Sequence, residues 1–130
     1  MLRKAFTLLI AIIAAASAAK DASTEPAISL LVVTHNQCTH CHRWREEVKP
    51  YYHFEAGKSR LPDMEEYDVA DMKQYRKILP MLTQPITSLP TFVIMKNNHE
   101  VGRFSGYNNY SAFFSELVQN VSTVEHQETE

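Results

Sequence analysis

Cys38-Thr39-His40-Cys41 holds both cysteines of the 130-residue chain. Two thiols at that spacing can staple a fold, hold a soft metal or exchange disulfides. A staple gains from the length of chain it closes, and this one closes only two intervening residues. Metal binding has some appeal, because His35, His40 and His42 lie around the cysteines. Structural zinc, however, draws a second Cys or His pair from elsewhere, and His53, His99 and His126 are scattered singly. Delivery of a soft ion such as Cu(I) stays as an alternative. Disulfide exchange fits best. A helix is expected to begin near Cys38, and unpaired N–H groups with a partial positive charge at its N-terminus stabilise a thiolate. Cys38 would attack a disulfide, and Cys41, one turn along, would resolve the mixed disulfide. Ser88-Leu89-Pro90-Thr91-Phe92 is the second signal. Pro90 stands directly before an apolar strand, where it cannot donate to the ladder, and beside a C-x-x-C this suggests a cis peptide.

The elements that must position these residues are legible in outline. Leu30-Leu31-Val32-Val33 is a continuous apolar run, expected to be a strand buried on both faces. A helix is expected from Cys38 through Trp44 and Val48 to about Pro50–Phe54, followed by a loop from Gly57 to Pro62. Alternation predicts a strand over Met64–Val69, and the acidic Glu65-Glu66 within it reads as a solvated face. Asp71 is expected to cap a helix with Met72, Tyr75, Ile78 and Leu79 on one face. Thr91–Met95 and Val101–Ser105 read as a hairpin turning at Asn97-Asn98, and Asn108 or Asn109 as the cap of a last helix ending near Val121. Trp44, Phe54 and Tyr51-Tyr52 read as packing. The order β-α-β-α-β-β-α gives an α/β fold, a mixed central sheet flanked by helices.

Composition agrees with one small domain. Hydrophobic residues make up 45% and charged residues 22%, enough for a core. The formal net charge is -2, so no basic surplus exists for nucleic acid. Arg3 and Lys4 precede an uncharged run from Ala5 to Ala16, and Ala16-Ser17-Ala18 is a small-x-small cleavage site. These are the marks of a secretory signal peptide. The run is shorter than the ~20 residues of a spanning helix, so a cleaved signal is expected over an anchor. The expected organisation is a signal peptide over 1–19, cut at Ala18 or Ala19, a leader over 20–28, one domain over 29–121 and a polar tail over 122–130. The expected location is the periplasm, where disulfides persist, with the membrane involved only through an uncleaved signal. A monomer is expected.

On the strand Leu30–Thr34, the Cys38–Cys41 motif, Leu89-Pro90-Thr91-Phe92, the hairpin with Gly106 behind it and the last helix, the chain resembles the thioredoxin superfamily. The match covers about Ser29 to Val121 and implies a minimal thioredoxin-like fold. Cys41-His42-Arg43-Trp44, Glu47-Val48-Lys49-Pro50, Thr91-Phe92-Val93 and Val101-Gly102-Arg103-Phe104-Ser105-Gly106-Tyr107 look more closely like the exported thioredoxin-like reductases of bacterial sulfur-oxidation operons. The resemblance implies a thiol–disulfide oxidoreductase with Cys38 as nucleophile and Cys41 as resolving thiol. Pro90 would be the cis-proline facing the disulfide, and Leu89 would offer backbone groups to an extended substrate. No cofactor beyond the redox-active disulfide and no metal is implied. The implied partners are exported proteins with disulfides or thiols and an upstream thiol redox partner. His40 would tune the Cys38 thiolate, and His before the second Cys resembles strongly oxidising periplasmic members. A net oxidant that introduces disulfides is therefore the runner-up to a reductase. Two positions depart from thioredoxin: Val32 replaces a buried acid six residues before the first Cys, and Gln37 replaces an aromatic residue. With little chain between the expected signal and Ser29, the first strand and helix of full-length thioredoxin are expected to be missing.

Overall fold

The computed structural model describes residues 27–127. The expected signal peptide, most of the leader and the last three residues lie outside the described residues.

The apolar run becomes β1 (Ile28–Thr34), with Leu30 to Thr34 buried. Being apolar on both faces, it takes a central place. It pairs parallel with β2 (Asp63–Asp68) and antiparallel with β3 (Thr91–Lys96). β3 in turn pairs antiparallel with β4 (His99–Ser105), giving the sheet order β2-β1-β3-β4. Asn97 and Asn98 both have positive φ, as a tight turn between twisted strands requires.

Between β1 and β2 run α1 (Thr39–Glu47) and α2 (Tyr52–Ser59). The sequence reading stops the helix near Pro50–Phe54 and makes Gly57–Pro62 a loop. Instead, Pro50 sits in the first turn of a short 3-10 segment, Lys49–Tyr51, where its missing N–H costs nothing. Helix then resumes through Gly57 and closes at Arg60, which adopts the left-handed conformation. Tyr52 anchors the resumed helix: its side chain is buried and its hydroxyl donates to the Pro62 carbonyl at 2.8 Å. Burial, reinforced by Asp63, pushes that hydroxyl's pKa upward. Tyr51 and Phe54, also read as packing, are exposed.

α3 (Met72–Ile78) is capped as expected, with the Asp71 carboxylate accepting the N–H groups of Lys73 and Gln74. Of the apolar face assigned to it, Met72 and Leu79 are exposed and only Ile78 is buried. α4 (Tyr110–His126) is capped by Asn109 and runs past the expected end at Val121. Val124 is buried, so the helical stripe continues into the segment read as a polar tail.

Two cores result. Leu30, Val32, Phe92 and Ile94 pack beneath α1, α2 and α4 around Trp44, Phe113 and Leu117. The opposite sheet face buries Leu31, Val33, Val93 and Met95 against Ile78 of α3. The rings of Trp44 and Phe92 lie 5.6 Å apart, and those of Phe92 and Phe113 4.8 Å. Alpha 1 thus has a rigid aromatic floor.

Candidate active site

The chain leaves β1 at Thr34 and folds a short loop before α1. Cys38 N–H donates to the His35 carbonyl at 3.2 Å, and Gln37 N–H donates to His35 Nδ1 at 2.9 Å. His42 Nε2 lies 2.6 Å from the Asn36 carbonyl. Since a carbonyl only accepts, that nitrogen carries the hydrogen. One ring nitrogen of His35 and one of His42 are thus engaged by the loop's own backbone.

Cys38 is the N-cap of α1, with extended backbone (φ -87°, ψ 113°). Its Sγ accepts the N–H of Cys41 at 3.1 Å, the role a Ser or Asp oxygen takes at other helix starts. The two cysteines form a disulfide with Cα atoms 5.2 Å apart. Their environments differ: Cys38 is half-buried, whereas Cys41 is 0% exposed. His40 lies between them and is exposed. No acidic residue occupies the first turn of α1, so nothing there offsets the positive end of the helix.

The second half of the site comes from the start of β3. The register pairs Val33 with Thr91, which places Pro90 beside Thr34, at the end of the sheet where the cysteine loop departs. The Leu89–Pro90 peptide is cis. Pro90 is buried and Leu89 half-buried. The Pro90 carbonyl accepts the Gly106 N–H at 2.8 Å, and Thr91 Oγ1 donates to the Ser88 carbonyl at 2.6 Å. Leu89 also lines an open groove with Val69, Tyr75 and Ile86. The sheet thus brings the sequence-read residues Cys38, His40, Cys41, Leu89 and Pro90 to one end.

Sequence reasoning missed the groups that brace this end. Tyr107 OH donates to Glu47 at the end of α1 at 2.5 Å, and Arg43 donates to the Asn108 carbonyl at 3.2 Å. The hydrogen bond from Tyr107, aided by Arg43, holds the Glu47 carboxyl below its usual range against a smaller effect of burial. Burial and that same bond push Tyr107 upward. Only the helical spacing of Arg43 and Glu47 was visible as a signal; Tyr107 is 60 residues further along. Among the described residues, no three His, Cys, Asp or Glu side chains converge to hold a metal ion.

No family model matches the chain, and no curated protein matches it. Solved structures do. The reduced form of the periplasmic thioredoxin SoxS from Paracoccus pantotrophus is 27% identical, with a TM-score of 0.62 over 75% of this chain and 98% of that one. The chain has the thioredoxin fold. Fasciola hepatica thioredoxin superposes at a TM-score of 0.51 with 21% identity, covering 73% of this chain and 82% of its own. A poplar thioredoxin h gives 0.51 with 18% identity, over 79% and 80%. A Cys-x-x-Cys disulfide at the first helix of this fold makes the protein a thiol–disulfide oxidoreductase.

One departure from thioredoxin gains a physical content here. Val32, at the position of the buried acid, is 0% exposed and pairs in register with Glu66 of β2. Glu66 was read as a solvated residue, yet its side chain is only 14% exposed. Its carboxylate accepts from Thr34 Oγ1 at 2.9 Å and pairs with Arg45 and Lys49. Burial pushes its pKa up, but Lys49, Arg45 and Thr34 together outweigh burial and hold it below the usual carboxylate range. A carboxylate so held stays ionised at neutral pH and is a poor acceptor for a thiol proton. Glu66 therefore braces the site without replacing the missing acid.

Proposed function

We propose that this oxidoreductase works in the periplasm, where it reduces disulfides of exported proteins and is itself re-reduced by an upstream thiol partner. The observation that carries the reading is the asymmetry of the cysteine pair: Cys38 half-buried at the helix tip, Cys41 fully buried behind it. In the dithiol state the Cys38 thiolate attacks one sulfur of a substrate disulfide, and the other substrate sulfur leaves as a thiolate that takes up a proton. Cys41, after losing its proton to solvent, then attacks Cys38 Sγ and expels the second substrate thiolate. Two electrons pass to the substrate, and the Cys38–Cys41 disulfide is left. The helix N-terminus and the Cys41 N–H stabilise the attacking thiolate, and His40 beside it adds to this. Leu89 offers its backbone to an extended substrate, and Pro90 closes the face opposite the disulfide.

The location is supported by the Arg3–Lys4 segment with its apolar run, and by likeness to a thioredoxin described as periplasmic. The direction is tested by equilibrating the protein in glutathione buffers. A potential more negative than about -200 mV fits a reductase; one near the ~-120 mV of a strong oxidant would reverse the assignment. Limiting iodoacetamide on the reduced protein tests the roles: Cys38 is expected to be alkylated first, and preferential labelling of Cys41 overturns them.

A further inference from the structure

Beta 4 is an edge strand with an irregularity. Ile94 pairs with Gly102 but Met95 pairs with Glu100, so Val101 is an extra residue with no opposite number. In a regular strand, residues three apart point to opposite faces. The bulge at Val101 cancels that alternation. Glu100, opposite Met95, and Arg103, opposite Val93, therefore share the face that Val93 and Met95 bury. The chain between α3 and β3 crosses this same face, with Leu82, Ile86 and Leu89 packed against it.

There the two side chains meet and grip that crossing segment. Arg103 Nη2 donates to Glu100 Oε2 at 2.7 Å, and Arg103 Nε donates to Oε1, giving a two-pronged pair. The remaining capacity goes to backbone. Arg103 Nη1 donates to the Pro85 carbonyl at 3.0 Å and Nη2 to the Gln84 carbonyl at 2.9 Å. Glu100 Oε2 accepts the Thr83 N–H at 2.7 Å. The side chains are only 4% and 14% exposed for Glu100 and Arg103, so the ion pair itself is largely withdrawn from water, while the carbonyls it holds lie at the surface. Residues 83–85 belong to neither a helix nor a strand, and a side-chain pair supplies the partners that a ladder would otherwise give.

We infer that Glu100 and Arg103 are positioning residues for disulfide exchange with protein substrates, holding the segment that ends in Leu89 and Pro90 in the shape an extended chain docks against. The inference rests on the reading of Leu89 and Pro90 as the substrate-facing edge. Neither residue touches the cysteines or the reacting sulfurs. Small disulfides, which need only the Cys38–Cys41 dithiol, should not sense the clamp, whereas a polypeptide that must pair along Leu89 should.

The test compares the native protein with Arg103→Met and Glu100→Gln, using two oxidised substrates of the reduced protein. For dithiobis(nitrobenzoate), a small disulfide, the rate should stay within about twofold of native. For the interchain disulfides of insulin, kcat/KM should fall about tenfold or more through a raised KM, the loss expected when a charge-assisted hydrogen bond goes. Hydrogen exchange at the Thr83 amide should quicken in both variants. Glu100→Gln keeps an acceptor for Thr83 and should be the milder, so it serves if Arg103→Met fails to fold. Unchanged insulin kinetics in a folded variant overturn the inference. An equal fall with both substrates also overturns it, because the pair then supports the fold at large. A native protein that exchanges with neither substrate instead defeats the oxidoreductase activity itself.

Discussion

The backbone N–H of Gly106 donates to the carbonyl of Pro90 at 2.8 Å. One residue further on, Tyr107 reaches the other side of the site, bonding Glu47 of α1, and Arg43 of that helix bonds the Asn108 carbonyl. The segment 106–109 is thus tied at once to the strand that carries Pro90 and to the helix that carries both cysteines. The relative position of the two halves depends on this segment as well as on the sheet.

Tyr107→Phe isolates the helix tie. The ring is buried and keeps its packing, while the bond to Glu47 is lost and that carboxylate turns to water. The expected cost is about 1 kcal/mol, the usual weight of one such bond. Urea denaturation should show a lower midpoint at an unchanged slope. A midpoint equal to native would mean that the bond contributes nothing to stability.

Gly106→Ala isolates the backbone requirement. Gly106 has φ +84°, and an added Cβ would meet nothing within 4 Å. Any loss is therefore conformational and not steric, about 1 kcal/mol for a residue with Cβ held at positive φ. Asn, which tolerates this region better, should cost less than Ala. Denaturation midpoints in the order Gly, Asn, Ala check the argument, and Ala at or above Gly would refute it.

The buried strands, the caps at Asp71 and Asn109 and the cysteine motif were legible because each is a local pattern. Leu30–Val33 needs no partner to be read as buried, and an Asx residue before an apolar stripe announces its helix. The resumption of helix after Pro50 was not legible. Gly57 reads as a breaker, and only the burial of Tyr52 and its bond to Pro62 outweigh it. Glu66 was misread for a similar reason. Its partners Thr34, Arg45 and Lys49 lie between 17 and 32 residues away, and only the β1–β2 pairing together with the placement of α1 and the 3-10 segment beside it gathers them. The pairing of Glu100 with Arg103 was hidden by the bulge, since a spacing of three on a strand argues against contact.

Acid should weaken the fold through three carboxylates. Glu47, Glu66 and Glu100 all have pKa values below the usual carboxylate value of 4.5. For Glu100, burial pushes upward, but Arg103 and Thr83 prevail. A depressed folded-state value means that the unfolded chain binds more protons, so stability is full above pH ~4.5 and falls as pH drops through the folded values. Denaturation midpoints measured from pH 7 down to 3 should decline chiefly below about 4.5. Glu66→Gln should flatten part of that decline; an unaltered pH profile would show that Glu66 carries none of it.

His40 offers the sharpest handle on redox poise. It is exposed and lies between the two cysteines, at the positive end of α1. On the proposed role, a ring there that donates a hydrogen bond or carries charge would favour the Cys38 thiolate, which would stabilise the dithiol state and make the disulfide easier to reduce. Replacing it with Gly removes that contribution and leaves the Cys41 N–H and the helix terminus in place. The Cys38 thiol should then titrate higher, though still below an ordinary thiol. Each ~1.4 kcal/mol of lost thiolate stabilisation corresponds to ~30 mV in a two-electron couple, so the potential should become more negative by some tens of millivolts. Ultraviolet titration of the thiolate in the native protein and in His40→Gly reads the first change, and glutathione equilibration reads the second. Coincident titration curves would make His40 a bystander and leave the poise to the helix terminus and the Pro90 segment.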